Sequence, residues 1–124
     1  CTNLDTIDIT GCTRLSSEGI VHCCLSHTRL TSINLSSNRQ LTVDGIMTIV
    51  RGLKHSLRRL SIGWHKNLGT ADAIQIINLC SNLQYLNLLG CHKVSVDQVS
   101  EYTSHLTYLS VVGFKKKAAK NTKK

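Results

Sequence analysis

One phrase recurs along the chain, and its period constrains the fold more than any other feature of the sequence. Residues 1–19 and 80–98 align without a gap, and both read Cys-x-Asn-Leu, alternating apolar residues, Gly-Cys and an apolar-Ser pair. The apolar triplet within this phrase occurs five times, at Leu4, Ile7 and Ile9; Leu30, Ile33 and Leu35; Leu57, Leu60 and Ile62; Leu83, Leu86 and Leu88; and Leu106, Leu109 and Val111. The first members are 26, 27, 26 and 23 residues apart, and such a period predicts an array of stacked structural units.

Within each unit, the spacing of the apolar residues changes from the first segment to the second. The triplet alternates apolar and polar residues, which predicts a short strand with one buried face. The segment after it spaces apolar residues by three and four, which predicts an amphipathic helix. Ser16, Thr42 and Ser95 are the predicted N-caps, whereas Gly69 takes that position in the third unit, whose helix is expected to start from Thr70. The last interval of 23 residues predicts a shortened final helix.

A single unit of this size has no partner for its apolar face, so the units must bury that face against one another. We therefore predict an α/β solenoid of about 4.5 repeats, with parallel strands on its concave face and helices on its convex face. The solenoid is expected over residues 1–114, followed by a basic, disordered tail over 115–124. Because residue 1 lies inside a repeat, we expect these units to be the C-terminal part of a longer array.

The pattern L-x-x-L-x-L-x-x-C/N-x-x-L with a helical return resembles the leucine-rich repeat. The Gly-Cys pair and the C-x-N-L segments at Cys1 and Cys80 resemble its cysteine-containing subtype, found in the repeat domains of F-box proteins. The resemblance covers residues 1–114. It implies a horseshoe that binds a protein partner, for example in substrate recognition by an F-box-type ubiquitin ligase, although these 124 residues contain no F-box segment.

Three residues after each triplet lies a position with a predicted structural role. It is occupied by Cys12, Asn38, His65, Cys91 and Phe114. An Asn, His or Cys side chain that turns inward here hydrogen-bonds loop backbone that burial would otherwise leave without a partner. Phe114 lacks such a group, which indicates that the last repeat ends there.

The polar residues around the triplet leucines form columns across the predicted strands and supply the candidate partner-binding set. This set comprises Arg58, Arg59, Tyr85, Tyr108, Asp5, Asp8, Asn34 and Asn87. Arg59, Tyr85 and Tyr108 fall on successive strands, and Arg and Tyr are over-represented among interface hot spots. Two interpretations stay open for these three residues: a protein-binding surface, or a solvated sheet face on which Arg stacks against Tyr.

The positive charge is concentrated at one end of the chain. Six of the 15 Lys and Arg residues lie from Lys115 onward, which leaves nine basic and seven acidic residues, a balance of +2, in the rest. Lys115, Lys116 and Lys117 are therefore the candidates for contact with nucleic acid or phosphate. The small net charge of the body and the absence of a basic stripe make this the less favoured function.

Other classes of function lack the residues that they require. The six cysteines show no C-x-x-C spacing, so we expect no metal and no cofactor, and free thiols fit the cytoplasm or nucleus. Neither a catalytic motif nor a phosphate-binding glycine loop occurs, so we expect no enzyme. No apolar run approaches a membrane-spanning length. The expected function is a non-catalytic protein–protein interaction module, and the alternative is a structural subunit of a large assembly.

Overall fold

The computed structural model of the chain describes residues 5–11, 14–27, 29–102, 106, 108–111 and 114–116, with backbone alone at 96, 100, 108, 110, 111 and 114–116. Strands and helices alternate along these residues. Their order is β1 (Thr6–Asp8), α1 (Ser17–Leu25), β2 (Ser32–Asn34), α2 (Val43–Leu53), β3 (Arg59–Ser61), α3 (Thr70–Leu79), β4 (Tyr85–Leu88), α4 (Val96–Val99), a 3₁₀ turn (Ser100–Tyr102), β5 (Tyr108–Val111) and β6 (Phe114–Lys116).

The strands form one sheet in which sequence order is also spatial order. Strands β1 to β5 pair in parallel without a register shift, so that Thr6, Ser32, Arg59, Tyr85 and Tyr108 lie on one line across the sheet. Parallel neighbours connected through helices define an α/β fold, which confirms the predicted class. Each strand also lies on the apolar triplet that predicted it.

One face of the sheet is buried and the other is open. The central residue of each parallel strand is buried: Ile7, Ile33, Leu60, Leu86 and Leu109. Their neighbours Thr6, Asp8 and Arg59 are exposed. The buried side chains share one core with helix residues such as Ile20 and Ile46. Each fully buried Leu or Ile contributes roughly 1.5 to 3 kcal/mol, so packing against the helices stabilises the sheet.

The helices begin where capping chemistry predicts. The Ser16 hydroxyl accepts a hydrogen bond from the Gly19 amide, and the Thr42 hydroxyl accepts one from the Gly45 amide, each at 3.0 Å. Helix α3 starts at Thr70, as predicted, and the Asp72 carboxylate accepts from the Gly69 amide at 3.0 Å in place of a side-chain cap. The final helix α4 is short, which confirms the prediction from the 23-residue interval.

Hydroxyl groups at the helix N-termini also connect neighbouring units. The Ser17 hydroxyl accepts from the Thr42 amide at 3.2 Å, and the Thr70 hydroxyl accepts from the Ser95 amide at 2.8 Å. In both pairs the first residue of one helix holds the N-cap of the next. At these two junctions, one unit therefore fixes the position at which the following helix starts. Val43, the first residue of α2, has no hydroxyl to do the same for α3.

The end of the sheet differs from the sequence prediction. The sequence predicts that the last repeat ends at Phe114 and that a disordered tail starts at Lys115. In the structure, Phe114, Lys115 and Lys116 form β6, antiparallel to β5. Antiparallel strands can be joined by a two-residue hairpin, and only residues 112 and 113 separate β5 from β6. An edge strand leaves backbone groups unpaired, and β6 satisfies those along β5. A search for parallel repeats does not detect such a return strand.

The loops that leave the strands share a backbone conformation. Gly11, Ser37, Trp64 and Gly90, each directly before the structural position defined above, have φ values of 67°, 62°, 66° and 85°. Positive φ costs a residue with a side chain roughly 1–2 kcal/mol, which explains glycine at two of the four positions. Trp64 is the one large side chain among these four residues.

Within the described part of the chain, no helix has the length and apolar character needed to cross a membrane.

Candidate functional site

The open face of the sheet carries the predicted partner-binding residues in the columns that the sequence places them in. We call this surface the strand face; its members are Asp5, Asp8, Asn34, Arg58, Arg59, Tyr85, Asn87 and Tyr108. Asp5, Asp8, Arg58 and Arg59 are exposed, and Asn34, Tyr85 and Asn87 are half-buried. For Tyr108 the backbone register places it beside Tyr85 on β5. Arg59, Tyr85 and Tyr108 therefore lie on three adjacent strands, and Arg58 directly precedes the first of them.

Arg59 and Tyr85 are in direct contact. The guanidinium carbon of Arg59 lies 4.2 Å from the centroid of the Tyr85 ring, within the range of a cation–π interaction. Their backbones pair directly between β3 and β4. The stacked pair holds both side chains in defined positions on an open surface, which lowers the conformational entropy lost when a partner binds.

Three predicted partner-binding residues use their side-chain oxygens locally. Asp8, Asn34 and Asn87 each accept a hydrogen bond from the amide two residues later, at 3.0, 3.1 and 2.9 Å. These bonds shape the turn that leaves each strand. The Thr10 hydroxyl and then the Thr10 amide, both donating to the Asp8 carboxylate, hold its pKa below the ordinary value of an aspartate.

The predicted structural residues form a ladder of hydrogen bonds between units. Asn38 Nδ2 donates to the Ile9 carbonyl at 2.9 Å, and Cys91 Sγ donates to the Ile62 carbonyl at 3.3 Å. His65 Nε2 lies 3.0 Å from the Leu35 carbonyl oxygen. In each case the acceptor is the last triplet residue of the preceding unit. Cys12 lies outside the described residues.

Asn38 makes the most bonds in this ladder. It is 2% exposed and donates also to the carbonyls of Leu35 and Ser36, at 3.0 and 3.3 Å. Buried carbonyls without a donor cost free energy, so this one amide stabilises two successive turns.

Sequence reasoning missed a basic row along the loops between strands and helices. We define this loop edge as Arg14, Arg39, Lys66, His92 and Lys93, together with Trp64; all six are exposed. Arg39, Lys66 and His92 each follow the structural position of their unit. Because parallel strands end at the same side of a sheet, these loops lie together. These residues were not among the predicted site residues, and the recurrence of Arg39, Lys66 and His92 at one repeat position was the signal.

Trp64 is the most exposed large apolar side chain at the loop edge. It is 57% exposed, and its ring meets the His92 ring edge-on with the centroids 6.5 Å apart. A Cβ atom built on Gly90 would lie 2.4 Å from the Trp64 ring, so the indole rests against the Gly90 backbone. The indole, Arg39, Lys66 and His92 line a groove of about 770 Å³.

The thiols show the properties of packing residues. Cys24, Cys80 and Cys91 are buried. Burial raises the pKa of Cys24 to about 12 and that of Cys80 to about 11. Such thiols are poor nucleophiles at neutral pH. Among the described residues, no three His, Cys, Asp or Glu side chains are grouped to hold a metal ion.

The predicted phosphate-contact residues lie apart from the loop edge in sequence. Lys115 and Lys116 belong to β6, and Lys117 lies outside the described residues.

No protein-family model matches the chain.

Proposed function

We propose that the chain is a non-catalytic protein–protein interaction module of the leucine-rich-repeat type. In this proposal the parallel units form a curved solenoid, and the strand face is its concave, partner-binding surface. The stacked pair of Arg59 and Tyr85 carries the proposal, because it presents two hot-spot residue types on an open sheet face.

The chemistry of the strand face indicates what it would bind. Arg58 and Arg59 are exposed at its centre, whereas Asp5 and Asp8 lie at one end. A partner with a carboxylate opposite the arginines and a basic group opposite the aspartates would match this charge pattern. Tyr85 supplies apolar contact area beside Arg59. Substrate recognition in an F-box-type ligase and a structural role in a large assembly both fit such a surface.

The test is affinity capture with the wild-type chain and with Arg59→Ala/Tyr85→Ala. We expect the specific partners of the wild type to be lost from the double variant, because truncation of central hot spots commonly weakens binding by roughly 2 kcal/mol or more each. Quantitative mass spectrometry of the eluates measures this loss. Arg51→Ala/Tyr102→Ala is the matched control, since it removes the same side-chain types from exposed positions on α2 and the 3₁₀ turn.

Retention of every partner by the Arg59→Ala/Tyr85→Ala variant would contradict the proposal. Equal loss of partners from both double variants would show that reduced stability of the fold, and not removal of strand-face side chains, causes the loss of binding. Among partners lost only from the strand-face variant, ubiquitin-ligase subunits would support the first role, and subunits of one large complex would support the second.

A further inference from the structure

The loop edge lies on a different side of the molecule from the strand face, and its composition is unusual. The segments between strands and helices, residues 9–16, 35–42, 62–69 and 89–95, contain four Lys or Arg residues and no Asp or Glu. Neighbouring parallel strands are about 4.8 Å apart, so the four loops that carry these residues span roughly 14 Å. Arg39 and Lys66 directly follow the structural position of their units, and Arg14 and Lys93 follow it by two residues. Such a row of cations matches a partner with repeated anions.

Acidic residues adjoin these segments in sequence but do not line the groove at the loop edge. They are Asp8 at the end of β1 and Glu18, Asp44, Asp72 and Asp97 in the first turns of the helices. Glu18 and Asp44 line a separate groove between α1 and α2. Among the described residues that line the 770 Å³ groove, none is acidic, while Arg39 and Lys66 are basic. The lining of this groove therefore carries positive charge.

Trp64 provides a second, independent observation. Its positive φ is the conformation that Gly11, Ser37 and Gly90 share in the other loops, but Trp64 is the one large side chain at these four positions. The indole is 57% exposed and rests against Gly90. It lines the groove together with Arg39 and Lys66. A flat aromatic surface beside a row of cations is the combination that binds single-stranded nucleic acid, where bases stack and phosphates meet Lys and Arg.

We propose that the loop edge binds single-stranded nucleic acid, with a base stacked on Trp64 and the phosphates along Arg39, Lys66 and Lys93. An acidic protein segment would also meet these cations. The exposed indole favours nucleic acid, because every base offers a flat face for stacking and a carboxylate side chain does not. The contacts are to phosphates and base faces, so binding has little sequence preference.

Trp64 is the single tryptophan of the chain, so its fluorescence reports on this site alone. The experiment titrates the full chain with a fluorescein-labelled oligouridylate of 12 nucleotides in low salt and records anisotropy; a parallel titration with unlabelled oligouridylate records tryptophan emission. We expect saturable binding that quenches the emission. The logarithm of the association constant should fall with the logarithm of salt concentration, with a slope of about 0.7 for each phosphate contact.

Arg39→Gln/Lys66→Gln should weaken binding by roughly tenfold or more and reduce the salt slope by about 1.4. Arg51→Gln/Lys54→Gln removes the same charge from the end of α2 and is expected to change affinity less than about twofold. Trp64→Gly should weaken binding by roughly five- to a hundredfold through lost stacking. Glycine suits the positive φ at this position, so this variant keeps the fold.

Three results would overturn the proposal. The first is equal affinity for Arg39→Gln/Lys66→Gln and for the wild type. The second is loss of binding only when Lys117, Lys120, Lys123 and Lys124 are replaced by Gln, which would assign binding to the terminal lysines. The third is tight binding of polyglutamate that displaces the oligouridylate without quenching Trp64, which would assign the loop edge to an acidic protein.

Discussion

At the scale of single residues, the position before each structural residue decides how the loop leaves its strand. Gly90 and Gly11 share positive φ, but their surroundings differ. A Cβ atom at Gly90 would lie 2.4 Å from the Trp64 ring, whereas one at Gly11 would meet nothing within 4 Å. A comparison of substitutions at the two glycines therefore separates the cost of backbone strain from the cost of displacing the indole.

Gly90→Ala should destabilise the fold more than Gly11→Ala does. Both substitutions incur roughly 1–2 kcal/mol of backbone strain, and Gly90→Ala must also displace the Trp64 ring. Urea unfolding measures the two free energies, and tryptophan emission should shift only in Gly90→Ala. In a Trp64→Gly background the excess cost should disappear, as expected for residues in contact. An excess cost that persists without the indole would show that another contact at Gly90 is responsible.

At the scale of the elements, neighbouring units are joined by side chains that reach the backbone of the preceding turn. Asn38, His65 and Cys91 hold equivalent positions, and each meets the carbonyl of the last triplet residue before it. The three side chains differ in donor number, and the amide of Asn38 satisfies the most carbonyls. The strength of the connection should therefore vary from unit to unit.

Asn38→Ala should lower the free energy of unfolding by roughly 1 to 3 kcal/mol, because it leaves the Ile9 carbonyl without its side-chain donor. The Leu35 carbonyl keeps its contact with His65, and the Ser36 carbonyl keeps the Gly11 amide. Asn38→Cys keeps one donor, as Cys91 does, and should cost less. The matched control is Asn67→Ala, at an exposed loop position, which should change the free energy by less than about 0.5 kcal/mol. Chemical denaturation at fixed pH compares the three variants. Equal stability of Asn38→Ala and Asn67→Ala would show that the Asn38 hydrogen bonds do not stabilise the fold.

The elements show how far the sequence determines this structure. Local chemistry predicts the helix starts, because Ser16 and Thr42 supply caps and the shift to Thr70 follows from Gly69. The columns of the strand face follow from the period of two within each triplet. Strand β6 was missed because pairing with β5 depends on a free sheet edge, which no repeat position encodes. The loop edge was missed because net charge was averaged over the body instead of being read by repeat position.

At the scale of the whole molecule, the order of the strands makes each unit depend on its neighbours alone. Strand β2 pairs with β3 in the same register as β3 pairs with β4. Removal of one full unit therefore brings equivalent residues together: Ser32 would pair with Tyr85, and Cys91 would meet the Leu35 carbonyl that His65 now contacts.

Deletion of residues 57–82, which is one full period from Leu57 to Leu83, should leave a chain that still unfolds cooperatively. The dependence of its unfolding free energy on urea concentration should fall by roughly a fifth, in proportion to the surface buried. Circular dichroism during a urea titration measures both properties. Deletion of residues 57–69, which removes β3 and its loop but keeps α3, is the control and should abolish the transition. A full-period deletion that is as unfolded as this control would show that the units are not interchangeable.

The constant register has one more consequence, for how the surface of this molecule can change. The unit of an outward residue and its place within that unit together determine where the residue lies on the surface. That location does not change when the side chain is substituted. A substitution at an outward position changes the surface at that position and leaves the apolar core unchanged. The strand face and the loop edge, the two surfaces proposed for recognition, can therefore change independently of each other, one residue at a time.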